Sequence, residues 1–207
     1  MNQLKVFTIC CLIIFLASPA VLAADQGGYV SGHLGACMLN DATLSEPGFP
    51  YTINTEYDMG LGIGGAIGYD FGIWRVEGEV AYRINDVDSF TALGVGLQGS
   101  GDIDTLSTMV NAYFDFENQT AITPFIGAGM GFAQVSANDW TVAGIRIGSE
   151  DDSVFAYQFF IGLGVSVTER LMLDLVYNYF ATSDPEFGIT EAEYDSHNIS
   201  FGARFNF

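Results

Sequence analysis

The sequence predicts an all-β fold, an eight-stranded antiparallel up-and-down barrel that crosses a membrane. Three observations support this prediction. Apolar and polar residues alternate along most of the chain, tight and long connections alternate between these segments, and the apolar face carries no charge over seven of them. A period of two is typical of a strand with one apolar and one polar face.

Composition narrows the class of protein. The 207 residues are 49% hydrophobic and 14% aromatic, which is too apolar for a disordered chain. The 25 glycines disfavour long helices, because each interior glycine costs about 1 kcal/mol relative to alanine. Six Lys and Arg against 25 Asp and Glu give a net charge of -19, so we expect no nucleic acid partner.

The N-terminus has the layout of a secretory signal peptide. A short charged head is followed by the apolar stretch Val6–Leu16 and then by small residues up to Ala23. An uncleaved membrane helix over residues 6–24 is the alternative. Pro19 and the small residues around it argue against this helix, because they interrupt it where a peptidase would cut. We therefore predict a signal peptide over residues 1–23 and a single barrel domain over residues 24–207.

The first four strands are predicted in the N-terminal half of the mature chain. Tyr29–Met38 shows the weakest alternation, and Leu61–Phe71 alternates apolar residues mainly with glycine. In Trp74–Arg83 the second face carries arginine and glutamate, whereas in Leu106–Phe116 it carries serine, methionine, asparagine, tyrosine and aspartate. Each segment therefore has one face without charge.

The last four strands follow the same rule. In Ile126–Ala133 and Phe155–Val167 the second face is mostly glycine and alanine, with a few larger residues. Leu171–Phe180 places Asp174 and Asn178 on its second face. The closing segment, Asn198–Phe207, alternates most clearly, and the chain ends on its last aromatic residue.

Connections between these segments differ sharply in length, and tight and long ones alternate. The three tight ones lie at residues 72–73, 117–122 and 168–170, and the four long ones at about 39–57, 84–104, 136–152 and 182–195. In an up-and-down barrel this order places every long loop at one end. Transmembrane barrels have this anatomy, with short periplasmic turns and longer outer loops.

A soluble lipocalin-like barrel is the alternative with the same strand count. Its polar face would meet water and carry many Lys and Glu, whereas here that face is mostly Gly, Ala, Ser and Asn. Small residues suit a narrow lumen. Aromatic residues also cluster near both predicted strand ends, as in the girdles of membrane barrels. They are Tyr69, Phe71, Trp74, Phe114, Phe116, Phe205 and Phe207 on the short-turn side and Tyr82, Phe132, Phe155, Tyr157, Tyr177 and Tyr179 on the loop side.

Four stretches carry a family resemblance: Tyr29–Gly32, Asn111–Phe116, Thr123–Gly131 and Gly202–Phe207. Through them the sequence resembles the small outer-membrane β-barrels of Gram-negative bacteria, the OmpA-type and opacity-type porin-like surface proteins. The resemblance covers essentially the whole mature chain and implies a place in the cell outer membrane. It also implies contact with outer-membrane lipid and lipopolysaccharide.

The resemblance further implies how the barrel is assembled. The aromatic residues of the final strand, Phe201, Phe205 and Phe207, are similar to the signal that the outer-membrane assembly machinery reads in this family. We expect a monomer, and a host or surface ligand is a further partner compatible with the family.

Charged residues on the predicted lumenal face form the main candidate site. Buried charges must be paired, so we predict a lumenal network. Its members are Arg75, Glu77, Glu79, Arg83, Asp115, Asp174 and Arg204. One interpretation is a gate or selectivity filter. The other, which the narrow interior of eight strands favours, is a plug that closes the lumen.

The long loops hold most of the acid. Their carboxylates are Asp41, Glu46, Glu56, Asp86, Asp88, Asp102, Asp104, Asp139, Glu150, Asp151, Asp152, Asp184, Glu186, Glu191 and Glu193. Hard oxygen ligands suit divalent cations, but no loop has an EF-hand pattern. We therefore expect a solvated acidic rim, with no metal site and no cofactor.

Catalysis requires a base and a nucleophile within hydrogen-bond reach. The histidines are His33 and His197, and the hydroxyls near the latter, Ser196 and Ser200, have the opposite parity on the strand. The sequence therefore predicts no enzyme and no catalytic residues. It predicts a role in envelope integrity or in a surface interaction such as adhesion, with a small passive diffusion pore as the alternative.

Overall fold

The structure is a computed structural model. Side chains are described for residues 26–40, 58–86, 101–136, 151–183 and 194–207, and the backbone also for 42–45, 52–57, 87–92, 95–97, 99–100, 137–142, 145–150, 186–187 and 190–191. The predicted signal peptide, residues 1–23, lies outside the described residues.

Eight long strands run in the order that the hydropathy pattern predicts. They are β1 (Gly27–Leu39), β2 (Gly60–Asp70), β3 (Trp74–Ala92), β4 (Gly99–Asp115), β5 (Ile122–Val142), β6 (Ile145–Ser166), β7 (Leu171–Thr182) and β8 (Asp195–Asn206). Each is antiparallel to its neighbours in the chain. Among the described residues, no helix is long and apolar enough to cross a membrane.

The eight strands close into a ring. β8 pairs with β1 in an antiparallel register that runs from Tyr29 opposite Asn206 to Leu39 opposite Ser196. Closure leaves neither strand with an open edge, so the backbone groups of the wall are hydrogen-bonded within the sheet. The predicted fold class, an eight-stranded antiparallel up-and-down barrel, is confirmed.

The wall extends well beyond the predicted strand ends on the loop side. β3 continues to Ala92 and β4 starts at Gly99, while β5 and β6 run for 21 and 22 residues to a hairpin between Val142 and Ile145. At about 3.3 Å per residue such a strand is roughly 70 Å long, against a hydrocarbon core of about 30 Å.

The prediction that residues 84–104 and 136–152 form long loops was therefore wrong for most of these residues. Outside the membrane a strand needs no apolar face, so the ladder of backbone hydrogen bonds continues where the alternation of the sequence ends. Shorter strands on the same side pair with one another or with the outer half of β3. They are Ala42–Ser45, Thr52–Tyr57, Val95–Leu97, Glu186–Phe187 and Thr190–Glu191.

The tight turns lie at the predicted positions at the opposite end. Between β2 and β3, Gly72 has a φ of 100°, which favours glycine, and its amide donates to Asp70 Oδ1 at 2.7 Å. Between β6 and β7, the Thr168 hydroxyl accepts from the Leu171 amide at 3.0 Å. Local side-chain acceptors thus satisfy backbone donors where the ladder stops.

The two faces of the wall differ as the period of two requires. Outward side chains of the central strands are apolar and exposed, among them Leu34, Ile63, Val80, Val110 and Ile161. The aromatic residues of both predicted girdles lie on this outer face, Phe114 and Tyr179 being half-buried and the other eleven exposed. Polar and charged residues of the same strands are buried inside.

Candidate functional site: the lumen

The structure places the seven charged residues of the predicted network on the inner face of the barrel. Six are buried and Asp174 is nearly so. Four lie at alternate positions on β3, and the others come from β4, β7 and β8. They do not form one continuous set of ion pairs, because neutral side chains connect them.

The tightest contact joins Arg75 to Asp115 across β3 and β4. Arg75 donates from Nε to Asp115 Oδ2 at 2.6 Å and from Nη2 to Oδ1 at 2.9 Å. The guanidinium carbon also lies 4.5 Å from the ring centroid of Tyr113 and 5.0 Å from that of Phe125. Two parallel hydrogen bonds and two aromatic faces fix this arginine in one geometry.

Glu77 is held by neutral donors instead. Its carboxylate accepts from the Tyr113 hydroxyl at 2.7 Å, the Tyr29 hydroxyl at 2.9 Å and the Asn111 amide at 3.2 Å. The same Asn111 nitrogen donates to Glu79 at 2.9 Å. Three hydrogen bonds offset much of the cost of burying a carboxylate that forms no ion pair with an arginine among the described side chains.

A chain of amide side chains crosses the lumen from these carboxylates to the far wall. Gln158 on β6 donates to Asn111 Oδ1 at 2.8 Å, and Asn178 on β7 donates to Gln158 at 3.2 Å. Asn198 on β8 donates to Asn178 Oδ1 at 3.0 Å. Every donor points toward Glu79, so each bond polarises the next in the same direction.

Glycine on the intervening strand allows this chain to form. β5 lies between β4 and β6, and a Cβ at Gly129 would lie 1.9 Å from Asn111 Oδ1 and 3.2 Å from Gln158 Cγ. On β2, a Cβ at Gly68 would lie 2.4 Å from Tyr29 Cζ, the ring that reaches over to Glu77. The small residues of one strand thus leave room for the long side chains of its neighbours.

The remaining arginines have looser partners. Arg204 Nη2 lies 3.5 Å from Asp174 Oδ1, and its guanidinium carbon lies 5.5 Å from the centroid of Tyr29. Arg83 donates to the Ser107 hydroxyl at 3.0 Å and stacks 4.2 Å above the Phe180 ring. These contacts bring Arg204 to Asp174 but leave Arg83 beside neutral groups.

An apolar cluster closes the loop-side half of the same lumen. Its buried members are Leu39, Ile103, Met109, Ala133, Val135, Val154, Ala156, Phe180 and Tyr194. Burial raises the pKa of Tyr194, the one ionisable member, so the cluster is uncharged at neutral pH. A largely apolar layer therefore lies on the loop side of Arg75, Asp115 and Arg204, and Arg83 is packed into it against Phe180.

A small cavity lies inside the barrel among the described side chains. Its volume is about 80 Å³, and it is lined by residues of the network, by His33 and by Ser200. A water molecule needs roughly 10–15 Å³ of such space, so the cavity is large enough for a handful of water-sized molecules. Within the described side chains no group of three or more His, Cys, Asp or Glu is placed to hold a metal ion.

Sequence reasoning missed the neutral half of the site. Tyr29, Asn111, Tyr113 and Gln158 carry most of its hydrogen bonds, yet only their inward parity distinguishes them. A buried carboxylate without a nearby arginine requires such donors, and that was the available signal.

Other predicted sites lie elsewhere. Phe201, Phe205 and Phe207 are exposed on the outer face of β8, and their role as an assembly signal stays a prediction. His197 is half-buried on the outer face near the loop end, whereas Ser196 is buried inside. Of the acidic rim, the side chains of Asp86, Asp102, Asp104, Asp151 and Asp152 are described, and the others lie outside the described side chains.

Comparison with known proteins assigns this barrel to a family. Residues 7–207 match the family described as outer membrane protein beta-barrel domain. The outer membrane protein PagN of Salmonella typhimurium is 31% identical over 196 residues, which covers 84% of this chain and 82% of PagN. The chain belongs to this outer-membrane β-barrel family and is an outer-membrane protein.

Two further known proteins are similar to this chain, one in sequence and one in fold. A candidate adhesin of Rickettsia massiliae is 23% identical over 222 residues, covering 94% of this chain and 98% of that protein. The crystal structure of Neisserial surface protein A superposes with a TM-score of 0.58 at 18% identity, covering 87% of this chain and 97% of that one. This second likeness shows the shared fold.

A double-mutant cycle tests the ion pair. Asp115→Leu alone should lower the free energy of unfolding by about 3–5 kcal/mol, because it leaves the Arg75 guanidinium buried without its partner. Arg75→Met with Asp115→Leu should recover most of that loss, since no unpaired charge remains. Urea unfolding in lipid vesicles measures the free energy of each variant, with Arg75→Met alone completing the cycle. A loss in the double variant equal to the sum of the two single losses would contradict the coupling.

A matched glycine pair tests the lumenal packing. Gly129→Ala should destabilise the barrel by about 1–3 kcal/mol, because the new methyl group overlaps Asn111. Gly78→Ala is the control, since a Cβ there would have no atom within 4 Å and Gly78 faces outward. Equal changes in the two urea midpoints would show that the amide chain does not depend on the space at Gly129.

Proposed function

We propose that this outer-membrane barrel works at the cell surface as an interaction protein of the adhesin type, with a closed lumen and with its outer loops as the contact region. The proposal rests chiefly on the filled interior. Ion-paired and amide side chains cross the charged half of the lumen, and an apolar cluster occupies the other half.

The shape of the wall supports a role outside the membrane. β5 and β6 continue past the loop-side aromatic girdle and carry their hairpin away from the membrane. A rigid antiparallel ribbon holds a contact surface in place better than a free loop does. The sequence of this ribbon contains Asp139, Glu150, Asp151 and Asp152.

Charge narrows the class of partner. The 15 carboxylates of the outer segments are accompanied by a single base, Arg146. Such a surface repels polyanions and attracts basic partners or divalent cations, and the attraction weakens as salt rises. The relation to a candidate adhesin of Rickettsia massiliae supports the same class of function.

The proposal includes a non-enzymatic role. His197 and Ser196 lie on opposite faces of β8, so this base cannot reach the nearest hydroxyl in sequence. We also propose that signal peptidase removes residues 1–23 and that the assembly machinery recognises Phe201, Phe205 and Phe207. The protein is proposed to be a monomer.

Adherence of bacteria that display the protein tests the surface role. We expect a non-adherent strain to bind an epithelial monolayer several-fold better when it expresses the wild type. Neutralising Asp139, Glu150, Asp151 and Asp152 as amides should remove most of that gain, because the contact uses these charges.

The matched control neutralises four acids of the last loop instead: Asp184, Glu186, Glu191 and Glu193. If neither set of substitutions changed adherence, and adherence were the same at low and high salt, a charge-dependent contact would be contradicted.

The cavity lined by charged residues is the observation that favours a small pore as the second candidate. Planar-bilayer conductance separates the two. We expect no conductance from the wild type. We expect discrete channel openings from Arg75→Ala combined with Phe180→Ala, because this double variant removes one side chain from the charged network and one from the apolar cluster. Arg75→Ala alone should stay silent because the apolar layer remains. Steady openings in the wild type would overturn the closed lumen.

A further inference from the structure

The chain contains two histidines, and the proposed function uses neither of them. His33 lines the lumenal cavity, whereas His197 is half-buried on the outer face of β8 near the loop end. On the same outer face lie Asp195, two residues before His197, and Asn40, which directly follows β1. The backbone amide of Asn40 donates to the carbonyl oxygen of Asp195 at 3.0 Å. This bond holds the two strand ends together, so an imidazole, a carboxylate and an amide meet at one point.

Two tyrosines of β7 hold the imidazole and the carboxylate in place. The Tyr177 hydroxyl lies 2.6 Å from His197 Nδ1, and the Tyr179 ring packs against the imidazole with centroids 5.3 Å apart. The Tyr179 hydroxyl also hydrogen-bonds to the Asp195 carboxylate. A proton on Nδ1, donated to the Tyr177 oxygen, leaves the lone pair of Nε2 facing Asn40. Histidines that bind metals are almost always held in this way, through their other ring nitrogen.

One amide nitrogen lies between two groups that carry lone pairs. Asn40 Nδ2 donates to Asp195 Oδ2 at 2.6 Å and lies 3.5 Å from His197 Nε2. A cation is attracted to the same position, because a carboxylate oxygen and a neutral imidazole nitrogen both offer electron pairs. Asn40 is exposed, and turning its amide over about the Cβ–Cγ bond brings its carbonyl oxygen to this position as a third ligand.

The donor atoms select the class of metal ion. Imidazole suits Zn²⁺, Cu²⁺ and Ni²⁺, whereas Ca²⁺ and Mg²⁺ prefer sites made of oxygen alone. Zinc bonds to nitrogen and oxygen are about 2.0–2.2 Å long, so His197 and Asp195 must draw together around the ion once the Asn40 nitrogen has turned away. Three protein ligands leave a fourth position, which water or a group from another molecule completes.

The charges at this end of the barrel favour a cation. The outer segments carry 15 carboxylates and a single base, Arg146, so their field concentrates cations near the wall. The arginines with described side chains lie elsewhere. Three are buried in the lumen and one lies in a turn at the opposite end: Arg75, Arg83, Arg204 and Arg170.

From this geometry we infer that His197, Asp195 and Asn40 form a binding site for a divalent transition-metal ion such as Zn²⁺ on the outer wall of the barrel. His197 Nε2 and the Asp195 carboxylate are its main ligands, and the Asn40 carbonyl oxygen is the third. Tyr177 positions the imidazole without touching the ion. The site requires neither the acidic outer segments nor an open lumen, so it is independent of the surface role proposed above.

Calorimetric titration with Zn²⁺ tests the site. The whole protein is used, in phosphatidylcholine vesicles and without a polyhistidine tag. We expect one equivalent of Zn²⁺ to bind with a micromolar Kd. A millimolar excess of Ca²⁺ or Mg²⁺ should leave this binding in place, because an imidazole nitrogen is a poor ligand for these ions.

Matched variants decide whether these residues hold the ion. His197→Gln should weaken Zn²⁺ binding about tenfold, which corresponds to about 1.4 kcal/mol. His33→Gln removes the other histidine of the chain and should keep the wild-type affinity. Tyr177→Phe deletes the hydroxyl that holds Nδ1 and should also weaken binding about tenfold, whereas Tyr82→Phe, at another tyrosine of the same girdle, should have no effect.

A spectroscopic measurement covers the case in which His197→Gln fails to fold. In the His33→Gln variant, His197 is the one histidine left in the chain. Pulsed electron paramagnetic resonance of Cu²⁺ bound to this variant should show modulation from one imidazole.

Three results would overturn the inference. They are equal Zn²⁺ affinity in the wild type and His197→Gln, displacement of Zn²⁺ by Ca²⁺, and a Cu²⁺ spectrum without imidazole. Each would show that carboxylates of the outer segments hold the ion.

Discussion

The narrow lumen of an eight-stranded ring is the constraint on which the rest of this structure depends. Closing the sheet satisfies the backbone, but it also traps every second side chain in a space about as wide as those side chains. Charged groups placed there must find partners inside. The bidentate contact of Arg75 with Asp115 and the three donors around Glu77 are two solutions to this one problem.

These two solutions have different consequences for function. An ion pair is local, whereas the amide chain from Asn198 through Asn178 and Gln158 to Asn111 connects four strands. Together with the apolar cluster above it, this cross-linking leaves a cavity of about 80 Å³. An interior filled in this way supports the closed lumen and the outer contact region proposed above.

The outer surface of the barrel divides into zones along the barrel axis. A neutral apolar band meets the hydrocarbon, two girdles of aromatic rings border it, and the wall then continues as hydrogen-bonded strands without apolar alternation. The acidic segments belong to this last zone. The proposed surface contact and the lipid-facing band thus lie on separate parts of one wall.

The sequence by itself determined the strand number, the order of the strands, the location of the tight turns and which residues face inward. A period of two on each strand settles these features locally, because one face meets lipid and the other does not. Tertiary structure alone decided the partners within the lumen and the true ends of β3 to β6. Which inward side chains meet depends on the register of non-adjacent strands and on space at residues such as Gly129. Strand ends outside the membrane depend on backbone pairing, which leaves no mark in the hydropathy of the chain.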